Sequence, residues 1–405
     1  MTTCAGSLAF RNAQAIDRNA AVVQKLLDVG MIILAKANMT EFAGMKTLKM
    51  MPGWSPHGGQ TISPYVGQIK EDEKILGHSV PGGSSTGSAV SVAAGFSPLA
   101  IGVETIGSII TPSTRAAVYA LKPTVGCQDT TGMYRLSDSF DSPGPMGKCA
   151  GDVLRLGEIM LGHSLATPSL GTWNDIAVAF LDPKKWRLEE EICDGLNGTA
   201  EQMVRDYEVA ISKLQRAGCE AKYPVDLPDT SALRIDGKDV IVPLAYWEFK
   251  NITIPQFINA FHHSPVRSLS DIIKFNERHR SEAMPEPYTE QDQLVKADES
   301  NERPEDMTEL QHKIRLLGKS ILDQVFDREH VNVIAALGDS SICIHAAATG
   351  YPLAAVPLST LEYNGRPFGL CLIAKGDGEQ ALMRFMHAWE KTMPPRDQPD
   401  LGRFD

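Results

Sequence analysis

The chain has 405 residues, 43% of them hydrophobic, enough apolar side chain for a sizeable core in one large domain or two smaller ones. Its 39 basic against 50 acidic side chains give a net charge of −11, which argues against nucleic acid or an anionic membrane as partner. No run of about 18 apolar residues could cross a bilayer, and the start MTTCAGSLAF lacks the basic-then-apolar order of a secretory signal, so a cytoplasmic protein is expected.

Asp17 to Gly30 sets Ala21, Val22, Leu26 and Val29 near helical spacing and stops on glycine, which predicts a helix; Met31 to Ala35 follows as a buried strand. Met45 to Tyr65 mixes Pro, Gly, Trp and His and reads as a long loop, where His57 has no partner at metal-ligand spacing. Ala89 to Gly95 reads as a short buried helix of small residues, and Pro98 to Val103 as an apolar strand. A helix over Asp152–Gly162, a strand over Ile176–Phe180 and one or two amphipathic helices over Glu189–Ala217 come next, the last stopped by Gly218. Between Ile235 and Leu310 lies a mixed insert: Tyr246, Trp247 and Phe249 are expected in its core, and Glu282–Glu305, rich in Pro, Glu and Asp, as a mobile surface loop. A strand at Val331–Leu337, a helix near Ser341–Thr349, strands at Leu353–Val356 and Phe368–Ala374 and a helix at Glu379–Lys391 close the chain. The alternation predicts an α/β fold, a mixed, largely parallel twisted sheet covered by helices on both faces.

The seven cysteines (Cys4, Cys127, Cys149, Cys193, Cys219, Cys343 and Cys371) are widely spaced and form no CxxC pair, which predicts reduced thiols and neither a zinc site nor a disulfide framework. No cofactor is expected. Glycosylation sequons at Asn38, Asn197 and Asn251 are expected to be chance matches.

The stretch Pro81–Ser108, PGGSSTGSAVSVAAGFSPLAIGVETIGS, joins a Gly/Ser loop, a small-residue helix and a second Gly/Ser loop, and is expected to bring Ser84 and Ser108 together. Its glycines permit close backbone approach and its serines supply hydroxyls. Gly82 and Gly87 have the spacing of a phosphate-binding loop, but Ser88 stands where the lysine of that motif belongs. Gly83, Ser85 and Gly87 fit a nucleophile elbow, with His57-Gly58-Gly59 as an upstream oxyanion loop; the charged EDEKILGHSVP ahead of it is not a buried strand. An esterase on Ser85 would further need His345 or another late histidine nearby.

The two loops, 24 residues apart at Ser84 and Ser108, resemble those of the amidase signature family. GMIILAKANMTEFA (Gly30–Ala43), GWSPHGGQTISPY (Gly53–Tyr65), ALKPTVG (Ala120–Gly126) and SDSFDSPGPMGKCAGD (Ser137–Asp152) look like family segments in family order, and SPVRSLSDIIKFNERH, ATGYPLAAVPL and GRPFGLCLIA extend the likeness over nearly all of the chain. The resemblance implies one amidase-signature domain over 1–405, with its signature core at 30–152 and a variable cap that shapes the substrate pocket at 235–310. It also implies hydrolysis of a small-molecule amide, with Ser108 as nucleophile, Ser84 as a proton-relaying serine after a cis peptide bond, and backbone amides of Thr105, Gly107 and Ser108 as the oxyanion hole. An oligomer is compatible with it.

Four departures from the family pattern accompany the match. The family's lysine base lies in a GxPxxxKD segment ahead of the stretch where this sequence starts. Lys36 matches another family position and is expected to pack a loop. The family's DxGGS reads Glu104-Thr105-Ile106-Gly107-Ser108 here, and its later arginine and one loop glycine are Ile110 and Thr86. These changes imply impaired hydrolysis, or a homologue that binds an amide or a partner protein.

Overall fold

The computed structural model describes residues 3–193, 195–196 and 198–404. After the helix α1 (Ala21–Asp28), α2 (Thr86–Ala93) leads to the first long strand, β1 (Leu99–Glu104), and α3 (Ile110–Arg115) to β2 (Tyr119–Lys122). β3 (Ser142–Gly147), α4 (Ala150–Leu161), β4 (Ala177–Leu181), α5 (Thr199–Arg216) and β5 (Glu220–Val225) follow. The insert runs into α6 (Pro304–Glu329), followed by β6 (Val333–Leu337), α7 (Cys343–Thr349), β7 (Leu353–Thr360), β8 (Pro367–Ile373) and α8 (Glu379–Thr392).

The eight strands form one mixed sheet in the order β1-β3-β2-β7-β8-β6-β4-β5. The α/β class and the helices on both faces are as expected, but the strand directions differ. Pairing is antiparallel everywhere except at β4–β5 and β4–β6. The reason lies in the connections: β7 and β8 are joined by the short turn 361–366, which only an antiparallel pair can use.

Period-two alternation fixes which residue faces which helical layer. Val333, Ala335 and Leu337 of β6 join Tyr119, Leu121, Val178 and Phe180 beneath α4, α5 and α8. Ile334 and Ala336 point to the opposite layer with Ala120, Leu353 and Cys371, against α2, α3, α6 and α7. Lys122 shares the parity of Ala120, so its side chain belongs to that second layer, where both serine loops lie.

Two further predictions are corrected. Met31–Ala35 forms no strand: Ile32 and Leu34 are 82% and 62% exposed, while Met31 and Ile33 pack on α1, α4 and the Leu99 and Ile101 side chains of β1. Strand patterning was met on one side only, because no neighbouring strand supplies the hydrogen bonds. The Glu282–Glu305 stretch is not a loose loop; it holds a helix at Asp292–Glu299 whose Leu294 and Ala297 are fully buried. The i, i+3 pair of small apolar residues docks it on the insert's core with Phe249, Ile254 and Phe257. Among the described residues of 189–217, the α-helix is Thr199–Arg216.

None of the seven cysteines is joined in a disulfide; Cys343 Sγ and Cys371 Sγ approach to 3.9 Å, too far for a covalent S–S bond. Asn38 is consumed inside: its amide nitrogen donates to Gly53 O, Gly59 O and Thr61 Oγ1, and its oxygen accepts from Ser55 Oγ. Asn197 lies outside the described residues, and Asn251 bonds the carbonyl of Trp247. His57 is exposed, and no group of acidic, histidine or cysteine side chains among the described residues could hold a metal. No helix is long and apolar enough to cross a membrane among the described residues.

Candidate active site

The Ser84 and Ser108 loops meet directly. Ser85 N donates to Ser108 O at 3.1 Å, and Ser84 O accepts from Thr40 N at 3.2 Å. A Cβ on Gly83 would stand 2.9 Å from both Gly107 O and Ser108 Cα, so only glycine lets the loops approach this closely. Gly107 has φ +77°, the left-handed turn that swings the chain from β1 into α3 and leaves Ser108 just ahead of the helix. Ser84 and Ser108 are 7% and 8% exposed, and no hydrogen bond among the described residues occupies either hydroxyl. Thr86, where the family loop has glycine, turns its hydroxyl back onto the carbonyls of Gly82 and Gly83 and clamps the loop from within.

Two expectations for this loop are overturned. The peptide bond before Ser84 is trans; among the described residues only Tyr223–Pro224 and Glu286–Pro287 are cis. The loop's contacts to Thr40 and Ser108 are met in the trans form, which avoids the ~3–4 kcal/mol a cis bond before a non-proline residue costs. The elbow reading of Ser85 also fails. Its Oγ donates to Val103 O at 3.0 Å and accepts from Val103 N at 3.1 Å, so both capacities of the hydroxyl are spent on β1. His345 is buried on α7 against the Trp186 ring, 5.5 Å between centroids, where burial holds its pKa down at about 4.

Glu104 organises the second loop. This carboxylate ends β1 with no exposure, and Oε2 accepts from Ile109 N at 2.6 Å and Ile110 N at 2.8 Å, while the amide of Gly107 faces the same group. Of the three expected oxyanion donors, Gly107 is therefore drawn toward Glu104. Burial pushes the Glu104 carboxyl up, and those amides together with Lys122 pull it back. Lys122 is also fully buried, and burial pulls its pKa down to about 8 against the opposing pull of Glu104; Arg315 and the thiols of Cys127 and Cys343 are its other charged or titratable neighbours. Neither Lys122 Nζ nor Glu104 Oε1 has a hydrogen-bond partner among the described residues. Thr105 is tied sideways: its hydroxyl donates to Asp141 Oδ1 at 2.6 Å, and Asp141 Oδ2 accepts from Leu136 N at 2.6 Å. Burial raises Asp141 to about 6, opposed by the Thr105 hydrogen bond. Ile106, between these anchors, is 38% exposed, and Ile110 is wholly buried. Lys36 donates to the Thr3 hydroxyl, a contact between loops.

A buried ionic network lies behind α3. Arg115 Nε donates to Asp339 Oδ1 at 2.9 Å, and Arg366 Nη2 donates to Asp339 Oδ2 at 2.8 Å. Although burial opposes its charge, the two guanidiniums hold the Asp339 carboxyl well below the usual carboxylate range. His78 closes the network, with Nδ1 3.2 Å from Arg366 Nη2 and Nε2 3.2 Å from Thr199 Oγ1. A cavity of about 520 Å³ opens beside it, lined in part by His78, Cys193, Thr199 and Asp339, and includes neither serine.

Sequence reasoning did not single out Lys122, Arg115, Asp141, Asp339 or Arg366. The available signal was a lone charge set in a small or apolar run, as in IITPSTRAAVYALKP, where a charge can be buried only if the fold supplies a partner.

The model of the Amidase family matches residues 1–383 of the chain. A probable amidase of Arabidopsis thaliana is 27% identical over 405 aligned residues, covering 98% of this chain and 75% of that one. One subunit of the glutamyl-tRNA(Gln) amidotransferase of Symbiobacterium thermophilum is 40% identical over 161 residues, 40% of this chain and 30% of that one. Among solved structures, an amidase family protein of Bacillus anthracis superposes with a TM-score of 0.84 at 25% identity, covering 99% of this chain and 76% of that one. The native peptide amidase of Stenotrophomonas maltophilia gives a TM-score of 0.81 at 28% identity, with 99% and 81% covered. With a family match across nearly its full length and the fold of solved amidases, the chain belongs to the amidase family, whose signature its paired serine loops carry.

Proposed function

We propose that this protein hydrolyses the carbon–nitrogen bond of small amides, with Ser108 as nucleophile and Ser84 as the hydroxyl that passes its proton on. The observation that supports this is the abutting pair of glycine loops, whose backbones meet beyond the end of β1 and whose Ser84 and Ser108 hydroxyls, slightly exposed, have no hydrogen-bond partner among the described residues. Attack of Ser108 Oγ on the amide carbon would form a tetrahedral oxyanion, and the backbone amides of Thr105 and Ser108 would be the donors that receive it. Collapse expels the amine, which takes up a proton, and water then releases the acid. The insert 235–310, whose core packs against Phe10, Phe42 and Phe140, would shape the acyl pocket.

No basic side chain among the described residues hydrogen-bonds either serine, and Ile106 restricts a turn that the family builds with glycine. We therefore expect slow turnover from the chain as it stands. A general base is worth about 10²–10⁴-fold in rate, and one good oxyanion donor on the order of 10²–10³-fold. A second reading, an amidase homologue that binds an amide or a partner without turnover, rests on the same observation that no basic side chain among the described residues hydrogen-bonds either serine. The test is release of product from simple aryl and aliphatic amides, together with labelling of Ser108 by a fluorophosphonate probe, in the wild type and Ser108→Ala. Hydrolysis lost in Ser108→Ala carries the first reading; ligand-induced stabilisation with neither hydrolysis nor labelling carries the second.

A further inference from the structure

We propose that Arg115 is a positioning residue that holds the Ser84 loop and the Ser108 turn at a fixed separation, an inference that rests on reading those two serines as the reacting pair. Arg115 ends α3, the six-residue helix that begins two residues after Ser108, and it is 1% exposed. Its two terminal nitrogens grip one short turn. Nη1 donates to Gly77 O at 2.8 Å and to Val80 O at 2.9 Å, and Nη2 donates to Leu76 O at 2.8 Å. Those three carbonyls belong to the turn that runs through Pro81 into Gly82, Gly83 and Ser84. A single rigid helix thus carries the candidate nucleophile at one end and grips the approach to its partner serine at the other.

The Nε donor fastens the grip to the sheet. Asp339 follows β6 closely, and its other oxygen is held by Arg366, directly ahead of β8, so the anchor cannot shift without moving the sheet. Together with the direct Ser85 N to Ser108 O bond, the loops are joined at two separate points, and two ties fix an orientation that one leaves free to pivot. A planar, five-donor guanidinium suits this task; an ammonium offers a point charge and cannot reach three carbonyls and a carboxylate at once.

The experiment compares Arg115→Lys with wild type in three measurements: amide hydrogen exchange, fluorophosphonate labelling of Ser108 read by intact mass, and kinetics on a simple amide. We expect exchange in 82–85 and 108–111 to speed up at least about tenfold while β6 is unchanged. Labelling should fall on the order of 10²-fold, the scale of a roughly 1 Å misplacement, with kcat reduced and KM near wild type. Unchanged exchange in both loops, or, where the wild type is labelled, labelling within twofold of it, overturns the proposal. If wild type itself is neither labelled nor active while Arg115→Lys still frees both loops, the tie stands and the serine reading falls. Should Arg115→Lys not unfold cooperatively, Asp339→Asn is measured instead. It leaves the guanidinium on its three carbonyls but weakens the anchor, and should speed exchange in the same two segments several-fold; no change there also overturns the proposal.

Discussion

Removing Glu104 tests whether the Ser108 turn is held as described. Glu104→Ala takes away the acceptor for the Ile109 and Ile110 amides, at 2.6 and 2.8 Å, and strands Lys122 as a buried lysine without its counter-charge. Hydrogen bonds to a charged group are worth about 1.5–3 kcal/mol each, and removing one partner of a buried charged pair costs about 3–5 kcal/mol. The contributions overlap, so Glu104→Ala should lose about 3–5 kcal/mol of unfolding free energy in urea titrations at neutral pH. Glu104→Gln keeps an acceptor oxygen and should lose about 1–2 kcal/mol. The pH dependence supplies an independent check through Lys122, whose folded pKa of about 8 lies below the 10.5 of the free side chain. Between those values the unfolded chain binds the extra proton, so the Lys122 contribution makes wild-type stability rise with pH across that window, by about 3 kcal/mol in all, and level off below about pH 8, where both states are protonated. Lys122→Met should abolish that slope. A Glu104→Ala protein within about 1 kcal/mol of wild type, or a slope that survives in Lys122→Met, would refute the reasoning.

Three further outcomes are expected. Lys46 and Glu41 form a wholly buried pair at 2.7 Å, so Lys46→Met should cost about 3–5 kcal/mol and the double variant with Glu41→Gln should recover much of it; equal loss in both would contradict this. His345, neutral in the fold with a pKa of about 4 against 6.5 when free, binds its proton only on unfolding, so stability present at pH 7 drains away as pH falls. That residue should account for about 2 kcal/mol of loss between pH 7 and pH 5, measured as the difference between wild type and His345→Phe. Ile106→Gly frees the turn for the oxyanion and should raise the rate of Ser108 labelling by about tenfold or more at little cost in stability, since Ile106 is partly exposed; a fall in labelling would show that its side chain assists the reaction.

What the sequence determined by itself was everything that depends on local sterics and periodicity. The i, i+3, i+4 pattern of α5 ends where Gly218 predicts, the two-residue alternation of β6 assigns its side chains to opposite layers, and the glycines at Gly83 and Gly107 mark where backbones meet and turn. These are properties of a segment and survive in any context. The 24-residue separation of Ser84 and Ser108 was equally legible, because one helix and one strand of known rise span it. Tertiary structure decided what depends on a partner distant in the chain. Met31–Ala35 has the composition of a strand, yet strands need a neighbour's hydrogen bonds and none is there. Leu294 and Ala297 looked like part of a polar loop until the insert's core gave them something to pack against. The same holds for the charges: Arg115, Lys122 and Asp339 lie apart in sequence at positions nothing in the pattern marks, and Glu104 stands out only as a departure from the family's DxGGS. Burying any one of them alone would be prohibitive, so their meaning exists only once the fold has brought each to its counter-charge or its carbonyls.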